Sequence, residues 1–456
     1  MNNFSLFEDI MLKENLSELA INTFKKHYSL LLSQKDNFIY EKEISPVETL
    51  DCLDDIRKTL AGSPTLKTAV IKLNGGLGTS MGMEYAKSLI LAKNNMSFLE
   101  IILRQAAYGN QTLILMESFA TFNDCKAELF RLCKELNISM PFQFLQNKVP
   151  KILKDSLLPA VSSKNTELQW TPPGHGDIYA SLLSTGLLDE LINSGVEYIF
   201  ISNADNLGAV TDEAIPVYMR DNNIDFLMEV CERQQEDKKG GHLAKNQNGA
   251  LLLREIAQCS PDEVESFQNI TKYRYFNTNS IWINLTALKQ MLKDNGGIMD
   301  LPLIRNEKNL NPRDPASPKV YQLETAMGSA ILLFKNAKAI SVDRNRFRPI
   351  KTTNDLLLIY SDIYNLNEKF VIEKKKEKIP FIDLDPLFFK TTDQINKHFP
   401  EGIPSLKNCD SLKVYGDIVF PQNIKLCGNV TLKNKSKKQV RIEENTDLLE
   451  ENIIEY

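Results

Sequence analysis

Hydrophobic positions near the start of the chain recur at helical spacing. Three stretches show this period: 7–11, 19–31 and 53–60. Apolar residues that return every three or four positions form one face of an amphipathic helix. We therefore predict a helical N-terminal region over residues 1–62.

From residue 69 onward, short apolar runs alternate with amphipathic segments. The runs have the length and the β-branched content of buried strands. This order predicts an α/β sheet with helices on both faces, which we assign to residues 63–365. The predicted strands are 69–73, 113–116 and 198–201, and the predicted helices are 98–107, 122–136 and 178–191.

The pattern changes again toward the C-terminus. A charge run at 374–378 is typical of a linker or a solvated helix face. Over 412–432, apolar residues lie about six apart and are punctuated by Gly416 and Gly428, as in stacked β-helix coils. We expect a linker and a small, separate β domain within residues 366–456.

Composition limits what the molecule binds. The chain has 456 residues, enough for two or three domains, and 54 Lys+Arg against 59 Asp+Glu leave a net charge of −5. No broad attraction to nucleic acid or to an acidic membrane follows from this balance. Seven cysteines without a C-x-x-C pair, and the absence of a signal peptide or membrane-spanning run, predict a cytoplasmic protein.

A glycine-rich stretch, LNGGLGTSMG at 73–82, directly follows the first predicted strand. An α/β sheet binds its ligand at this end of a strand, and glycines let backbone N–H groups approach phosphate oxygens. The spacing fits neither the dinucleotide nor the P-loop fingerprint. Lys87 follows at a distance from which it could reach such phosphates. The alternative is a plain connecting turn.

Two further strand or turn ends hold candidate ligand contacts. In PPGHGDIY at 172–179, His175 stands between glycines and is expected to contact a ligand or to be simply exposed, whereas Asp177 reads as a helix cap. Asp205 ends a strongly apolar strand in SNADNLGA. A lone carboxylate there suits Mg²⁺, with an Asx-turn as the alternative.

Polar and basic residues concentrate in three later stretches. Amides and a carboxylate at 275–280 and 322–328 could receive sugar hydroxyls, although each stretch also fits a turn or a helix start. Four cations occur within 344–351 of an acidic protein, as a polyphosphate substrate requires, unless they form a solvated basic face.

Together, these stretches resemble the eukaryotic-type UTP:glucose-1-phosphate uridylyltransferase family over nearly the whole chain. The resemblance implies a GT-A-like mixed α/β catalytic domain, an N-terminal helical region and a C-terminal left-handed parallel β-helix. The stretches, in chain order, are LNGGLGTSMG, FLQNKVPKI, PPGHGDIY, SNADNLGA, KKGGHL, FNTNSIWINL, QLETAMGSAI and RFRPIKTTNDLLLIYSDIY.

The resemblance also implies site residues. The glycine loop would hold the UTP phosphates, Gln146 and Gly174 would read the uracil, and Asp205 would carry Mg²⁺. Lys87 and Lys351 are the implied catalytic residues, which neutralise phosphate charge. The implied nucleotide-binding residues are Leu73, Asn74, Gly75, Gly76, Gly78, Thr79, Lys87, Gln146, Gly174 and Asp205. The implied sugar-phosphate-binding residues are His175, Asn203, Gly241, Asn277, Glu324 and Lys351.

The implied reaction is reversible formation of UDP-glucose and pyrophosphate from UTP and glucose 1-phosphate. The alternatives are a UDP-N-acetylhexosamine or broad-specificity UDP-sugar pyrophosphorylase, and a non-catalytic UDP-sugar-binding regulatory protein. The C-terminal domain is a candidate surface for homo-oligomer assembly. One departure bears on Lys87: Tyr85 and Ala86 stand where family members usually carry Gly-Pro, which leaves the placement of Lys87 open.

Overall fold

The N-terminal region is helical, as predicted. In the computed structural model of the chain, the described residues are 3–33, 37–60, 62, 65–161, 166–312, 314–449 and 453–455. The predicted domain boundary after residue 62 falls beside Ser63, which lies outside these residues. The first two helices pack through aromatic rings, with the Phe7 and Tyr28 centroids 4.7 Å apart.

Helices occur at each of the positions that the hydrophobic pattern indicates, with one difference. The predicted helix 178–191 is two helices, because Gly186 between them has a φ of 75° and ends the first one. The α-helices are α1 Phe4–Lys13, α2 Glu18–Leu32, α3 Leu53–Thr59, α4 Phe98–Tyr108, α5 Phe122–Leu136, α6 Ile178–Ser184, α7 Leu187–Asn193, α8 Ala214–Asp221, α9 Val264–Phe267, α10 Leu285–Asp294, α11 Thr353–Tyr360, α12 Pro386–Phe389 and α13 Thr392–His398.

The strands before residue 375 form the central sheet and four smaller ones. The predicted domain boundary at 365 falls inside the last of the small hairpins. The strands are β1 Ile44–Pro46, β2 Asp51–Cys52, β3 Thr68–Leu73, β4 Leu91–Lys93, β5 Met96–Ser97, β6 Thr112–Glu117, β7 Phe142–Leu145, β8 Val149–Pro150, β9 Ile152–Leu153, β10 Trp170–Thr171, β11 Tyr198–Asn203, β12 Phe226–Glu232, β13 His242–Asn246, β14 Leu251–Arg254, β15 Tyr275–Asn284, β16 Leu303–Asn309, β17 Lys319–Thr325, β18 Ala337–Ser341, β19 Tyr364–Leu366 and β20 Ile372–Lys374.

The central sheet is mixed. Its strands run in the order β2-β18-β12-β15-β11-β3-β6-β7, with β13 also paired to β15, to β1 and to β14. Strands β3, β6, β7 and β11 are parallel, whereas β15 is antiparallel to both of its long neighbours. Helices α4, α5 and α8 cover one face and α6, α7 and α10 cover the other. The α/β architecture is therefore confirmed.

The pairing of β3 with β11 positions the site. The two strands run in register from Thr68 opposite Tyr198 to Leu73 opposite Asn203. Both strands are buried along most of their length, as their largely apolar sequences require. Because parallel strands end at the same edge, the glycine-rich stretch after β3 and the Asp205 stretch after β11 emerge side by side.

The C-terminal strands pair in parallel. The apolar interior of this region is continuous with the core of the central sheet: Phe389, Ile395 and Leu412 belong to the same apolar cluster as Phe98 and Leu356. The β region is therefore packed on the sheet domain rather than separate, because α11 and α13 share their apolar faces with both. These strands are β21 Phe381–Leu384, β22 Cys409–Tyr415, β23 Ile418–Val419, β24 Lys425–Leu426, β25 Gly428–Lys433, β26 Val440–Arg441, β27 Asp447–Leu448 and β28 Ile453–Glu455.

Two features bear on the environment of the chain. Across the described residues, no helix is both long and apolar enough to cross a bilayer. All seven cysteines are free thiols, and five of them are buried. Burial raises the pKa of the Cys125 thiol to about 12, so this cysteine is a packing residue rather than a reactive one.

Candidate active site

The glycine-rich stretch folds back on itself and so places Lys87. The backbone N–H of Lys87 donates to the Gly76 carbonyl at 3.1 Å, and Leu77 and Ala86 form an antiparallel bridge. Ala86 has φ −57° and ψ 130°, which is close to the conformation that proline would impose. The backbone at Ala86 therefore has a conformation that proline could also adopt.

Lys87 and Asp205 form an ion pair at the edge of the sheet. The Lys87 Nζ lies 2.5 Å from Asp205 Oδ2, and both side chains are 19% exposed. The other carboxylate oxygen, Asp205 Oδ1, is buried and has no hydrogen-bond partner in the described part of the chain. A buried, unpartnered carboxylate oxygen is a candidate ligand for a hard cation.

Gly75 and Gln146 lie against each other. A Cβ built on Gly75 would come within 2.4 Å of Gln146 Nε2, and Ser118 Oγ donates to the Gly75 carbonyl at 2.8 Å. Gln146 itself is held by its backbone N–H, which donates to the Glu117 carbonyl at 2.8 Å. The structure thus brings the predicted phosphate and base contacts together on the β3 side of the site.

Two predicted nucleotide contacts are engaged inside the protein. The Asn74 side chain is buried and donates to Glu117 Oε1 at 2.9 Å, so only its backbone can face a nucleotide. Gly78 is also buried, packs on the Met83 side chain, and donates its N–H to the loop's own backbone. The Asn74 side chain and the Gly78 N–H thus take part in the loop's own packing, and the assignment of both residues to the nucleotide stays a prediction.

The remaining members of that stretch stay near the surface. Gly76 and Thr79 are exposed, and nothing lies within 4 Å of a Cβ built on Gly76. The Leu73 carbonyl accepts from Ala204 N–H at 3.1 Å, which ties the end of β3 to the residue before Asp205. Gly76 and Thr79 are therefore the open part of the loop.

Gly174 and His175 pack against the end of β17. Gly174 has a φ of 81°, and a Cβ there would lie 2.5 Å from the Thr325 carbonyl oxygen, so the position requires glycine. His175 Nδ1 accepts from Met327 N–H at 3.0 Å. Burial lowers the pKa of His175 to about 4. The imidazole is therefore neutral at pH 7, with its proton on Nε2 as a donor for a ligand.

Asp177 occupies the N-cap position of α6 but does not cap it. Its carboxylate accepts from Asn147 N–H at 2.7 Å and from Ser181 Oγ at 2.6 Å. Burial raises the pKa of the Asp177 carboxyl, opposed by these hydrogen bonds. The predicted cap is thus a link between α6 and the segment that carries Gln146.

A β-bulge presents amides to the opposite side of the site. The pairing of β12 with β15 shifts register between Glu229 and Val230, where Asn279 adopts a φ of 57°. Asn279 Nδ2 donates to Asn203 Oδ1 at 2.9 Å. The stretch 275–280 is therefore part of a strand and not a turn. Bulges commonly aim side chains at sites in this way.

Glu255 is a site residue that sequence reasoning missed. Its carboxylate hydrogen-bonds Asn277 and lies near Lys351. A Cβ built on Gly241 would lie 2.5 Å from Glu255 Oε1. Burial raises the pKa of Glu255, while Asn277 and Lys351 oppose that shift. The available signal was its place directly after the apolar strand β14, the same signal that identified Asp205.

Glu324 lies on strand β17 beside Gly174. A Cβ on Gly174 would come within 3.0 Å of the Glu324 Cβ. Burial raises the pKa of the Glu324 carboxyl, and a hydrogen bond with Asn306 opposes the shift. The stretch 322–328 is therefore the end of a strand that runs into a 3₁₀ turn at Met327–Leu332, which corrects the expected helix start.

The basic run 344–351 does not point all four of its cations at a ligand. Arg344 pairs with Asp237 at 2.5 Å, and Arg346 is buried in a pair with Glu229 at 2.7 Å. Lys351 is exposed and lies 6.0 Å from the Phe276 ring centroid. The prediction of a polyphosphate cluster is therefore wrong for Arg344 and Arg346, because each has a carboxylate partner within the fold.

The predicted site residues meet along one edge of the sheet. Gly75, Gln146, Lys87 and Asp205 form one side. The other side runs from Asn203 through Asn279 to the pair formed by Asn277 and Glu255. A Cβ built on Gly328 would lie 3.2 Å from Asn277 Nδ2. Gly328 directly follows Met327, whose N–H donates to His175. Glu324 and Gly174 complete the set of site residues. This arrangement offers backbone N–H donors, two lysines and several groups that accept hydrogen bonds from hydroxyls. Such groups suit a pair of ligands that carry phosphates and several hydroxyls.

Similarity to known proteins agrees with this geometry. The family model of UTP–glucose-1-phosphate uridylyltransferase matches residues 21–427. The protein of that name from Hordeum vulgare is 38% identical over 413 residues, which are 88% of this chain and 83% of the barley protein. UTP–glucose-1-phosphate uridylyltransferase 2 of Dictyostelium discoideum is 38% identical over 391 residues, covering 84% of this chain and 76% of its own.

Solved structures are similar over the full length. UDP-glucose pyrophosphorylase from Leishmania major, described in open and closed structures, aligns with a TM-score of 0.91 and 38% identity over 100% of both chains. UDP-glucose phosphorylase from Trypanosoma brucei aligns with a TM-score of 0.88 and 39% identity, covering 99% of this chain and 100% of its own. A mutant of the Leishmania protein was solved in complex with UDP-glucose.

Proposed function

The chain belongs to the UTP–glucose-1-phosphate uridylyltransferase family, and from this premise we propose how its residues carry out the reaction. It is a nucleotidyltransferase that joins UTP and glucose 1-phosphate to form UDP-glucose and pyrophosphate. The observation that supports our placement of the chemistry is the Lys87–Asp205 pair, which stands with an unpartnered Asp205 Oδ1 where two parallel strands end.

The proposed chemical step is a direct displacement. A phosphate oxygen of glucose 1-phosphate attacks the α-phosphorus of UTP, the bond from that phosphorus to the bridging oxygen breaks, and pyrophosphate leaves with the electron pair. The attacking phosphate is already ionised at neutral pH. The protein therefore contributes position and charge neutralisation rather than a nucleophile or a general base.

Asp205 is the proposed Mg²⁺ ligand. Its buried Oδ1 is free to coordinate, and no group of three or more His, Cys, Asp or Glu side chains within the described residues forms a separate metal cage. When bound, Mg²⁺ would offset phosphate charge, and it usually completes its coordination with substrate phosphates and water. Lys87, which already pairs with the other carboxylate oxygen, Oδ2, would then lie beside the cation and the triphosphate.

Nucleotide contacts are proposed for the β3 side of the site. The open backbone at Gly75, Gly76 and Thr79 would donate to the phosphates, and Gln146 with Gly174 would read the uracil edge. Gly75 and Gln146 are already in contact, which supports assigning them to adjacent parts of one nucleotide. Leu73 and Asn74 contribute through their backbones.

Sugar-phosphate contacts are proposed for the β15 side. Asn203, Asn277, Glu255 and Glu324 offer acceptors and amide donors for glucose hydroxyls, and the Gly241 backbone leaves room beside Glu255. His175 Nε2–H and Lys351 would bind the phosphate. The raised pKa values of the Glu255 and Glu324 carboxyls come from burial, which also strengthens any hydrogen bond they accept.

The finer features of the C-terminal region are also proposals. Leu412 pairs in parallel with Val430 and Val414 with Leu432, so the apolar residues of 430–432 stack on those of 412–414. This register supports a three-sided, left-handed parallel β-helix beside a GT-A-like sheet domain. We propose that this region is the surface through which a homo-oligomer would form, and that the enzyme acts in the cytoplasm on soluble substrates.

The test of the metal assignment is Asp205→Asn. We expect the Mg²⁺ concentration needed for half-maximal pyrophosphate release to rise at least about tenfold, because the neutral amide loses a charge-assisted contact. Calorimetry should also show that Mg²⁺ no longer tightens UTP binding. Asp212→Asn is the control, since Asp212 lies in the same segment but pairs with Arg57. An unchanged Mg²⁺ titration in Asp205→Asn would refute the assignment.

A further inference from the structure

Two loops carry charges that the proposed reaction uses. The aspartate loop, residues 203–210, holds Asp205, and the lysine loop, residues 344–351, holds Lys351. The loops come from distant parts of the chain and follow different strands. Their relative position is therefore set by the contacts between them and not by local sequence.

The two loops are hydrogen-bonded to each other along their length. Asn206 Nδ2 donates to the Arg346 carbonyl at 3.0 Å, and Arg348 N–H donates to Asn206 Oδ1 at 2.9 Å. The Ile350 N–H donates to the carbonyl of Asp205 itself at 3.3 Å. Because these bonds involve Arg346, Arg348 and Ile350 in turn, they join the two loops over successive residues of the lysine loop.

A buried ion pair anchors this layer to the sheet. Glu229 is 0% exposed and Arg346 is 7% exposed. Arg346 donates from Nε to Glu229 Oε2 and from Nη2 to Oε1, each at 2.7 Å, and also from Nη2 to the Val210 carbonyl at 2.6 Å. Trp282 Nε1 donates to Glu229 Oε1 at 2.8 Å. The planar guanidinium thus fixes both loops against a carboxylate that cannot move.

A second buried cation holds the neighbouring carbonyl. Lys72 on β3 is 3% exposed and donates to the Ala209 carbonyl at 2.6 Å and to Ser202 Oγ at 2.8 Å. The end of the aspartate loop is therefore held at two successive carbonyls, each by a different buried side chain. A loop so restrained has little freedom to change the position of its carboxylate.

We propose that Glu229 and Arg346 are positioning residues that fix the aspartate loop and the lysine loop as one rigid unit. Neither touches substrate. They act by holding Asp205 and Lys351 at a set separation across the phosphates. A buried ion pair is weak evidence for stability by itself, so a specific geometric role better explains why this one is made. The inference rests on the proposed function of the two loops.

The test compares Arg346→Lys and Glu229→Gln with the unchanged protein. Lysine keeps the charge but loses the forked geometry, and glutamine keeps the shape but loses the charge. We expect turnover to fall about 10- to 100-fold in each, as for small displacements of reacting groups, with KM values changed less than about fivefold. Calorimetry should show that Mg²⁺ tightens UTP binding at least threefold less than in the unchanged protein.

Controls separate positioning from lost stability. Leu288→Ala removes a buried side chain from α10, on the opposite face of the sheet, and should lower the melting temperature while leaving turnover and the Mg²⁺ effect unchanged. All rates are measured well below each variant's melting temperature. Asn206→Ala removes two of the hydrogen bonds that join the loops and keeps the ion pair, so it carries the test if Arg346→Lys does not fold.

Two outcomes would overturn the inference. One is that the Glu229, Arg346 and Asn206 variants lose stability as Leu288→Ala does but keep turnover and the Mg²⁺ effect within twofold. The other is that Asp205→Asn and Lys351→Ala, measured in parallel, have no effect, in which case the proposed function fails as well. Loss in those two variants without loss in the Glu229 and Arg346 variants would reject the positioning role alone.

Discussion

The two sides of the candidate site are built differently. On the nucleotide side, the open backbone of the glycine loop and the Lys87–Asp205 pair follow directly from the ends of two parallel strands. On the sugar side, Gly241, Glu255 and Asn277 come from three separate strands or turns around the antiparallel β15. The contacts proposed for the phosphates come from one loop and one neighbouring strand end, whereas the contacts proposed for the sugar come from three separate segments.

The charges differ in the same way. Lys87 and Asp205 form an ion pair, so their opposite charges offset each other on the proposed nucleotide side. The carboxyls of Glu255 and Glu324 have raised pKa values because they are partly buried. The nucleotide side is therefore suited to metal and phosphate, and the sugar side to hydrogen bonds with neutral hydroxyls.

Lys351 belongs to both sides, so its removal should have the largest effect. It lies near Glu255, and its loop is bonded to the Asp205 loop. We expect Lys351→Ala to lower turnover about 10²- to 10³-fold, the usual consequence of losing a group that stabilises transition-state charge. Pyrophosphate release under saturating substrates measures this effect.

Lys335→Ala provides the control for Lys351→Ala. Lys335 is an exposed lysine before β18, and its substitution should leave turnover unchanged. Near-normal turnover in Lys351→Ala, with the melting temperature preserved, would remove Lys351 from the reaction. The nucleotide side and the sugar side would then bind their ligands without Lys351 as a common contact.

Glu255→Gln should affect the sugar side alone. The substitution replaces a charge-assisted acceptor by a neutral amide, and we expect KM for glucose 1-phosphate to rise about tenfold. KM for UTP should change less than twofold, because the nucleotide contacts lie across the site. Glu232→Gln is the matched control, because Glu232 stands at the end of strand β12 and its side chain is 68% exposed. An equal rise in both KM values would mean that the division of the site is wrong.

Ala86→Pro should have the smallest effect. Ala86 already has the φ and ψ of a proline, and none of the loop hydrogen bonds described above uses its N–H. We expect an increase of about 0.4–1 kcal/mol in the free energy of unfolding, from the stiffer unfolded chain, with turnover within twofold.

Ala106→Pro, inside helix α4, is the contrasting control for Ala86→Pro. It removes an intrahelical hydrogen bond and should destabilise by about 3 kcal/mol or more. Chemical denaturation measures both variants. If Ala86→Pro raised turnover severalfold, the missing proline would limit the placement of Lys87, and the nucleotide side would be less fixed by its backbone than the hydrogen bonds indicate.

The stretch 275–280, whose composition also fits a turn or a helix start, shows where sequence reasoning stops. Residues 275–280 belong to a long strand, because Tyr275, Phe276, Asn277 and Ser280 pair with β12, while β11 pairs with the residues that follow, 281–284. The composition of residues 275–280 does not indicate which strands they pair with. The bulge that turns Asn279 toward Asn203 exists only because the β12 register shifts there.

The sequence by itself determined the alternation of strands and helices, the glycine loop after β3 and the carboxylate after β11. These depend on hydrophobic period, on the conformational freedom of glycine and on the shared edge of parallel strands, all of which are local or nearly local properties. The tertiary structure decided which charges face ligands. Arg346 lies in the same basic run as Lys351. Arg346 is buried in an ion pair with Glu229, whereas Lys351 stays exposed. A charged residue's role depends on the partner that the sheet brings to it, and that partner comes from a distant segment.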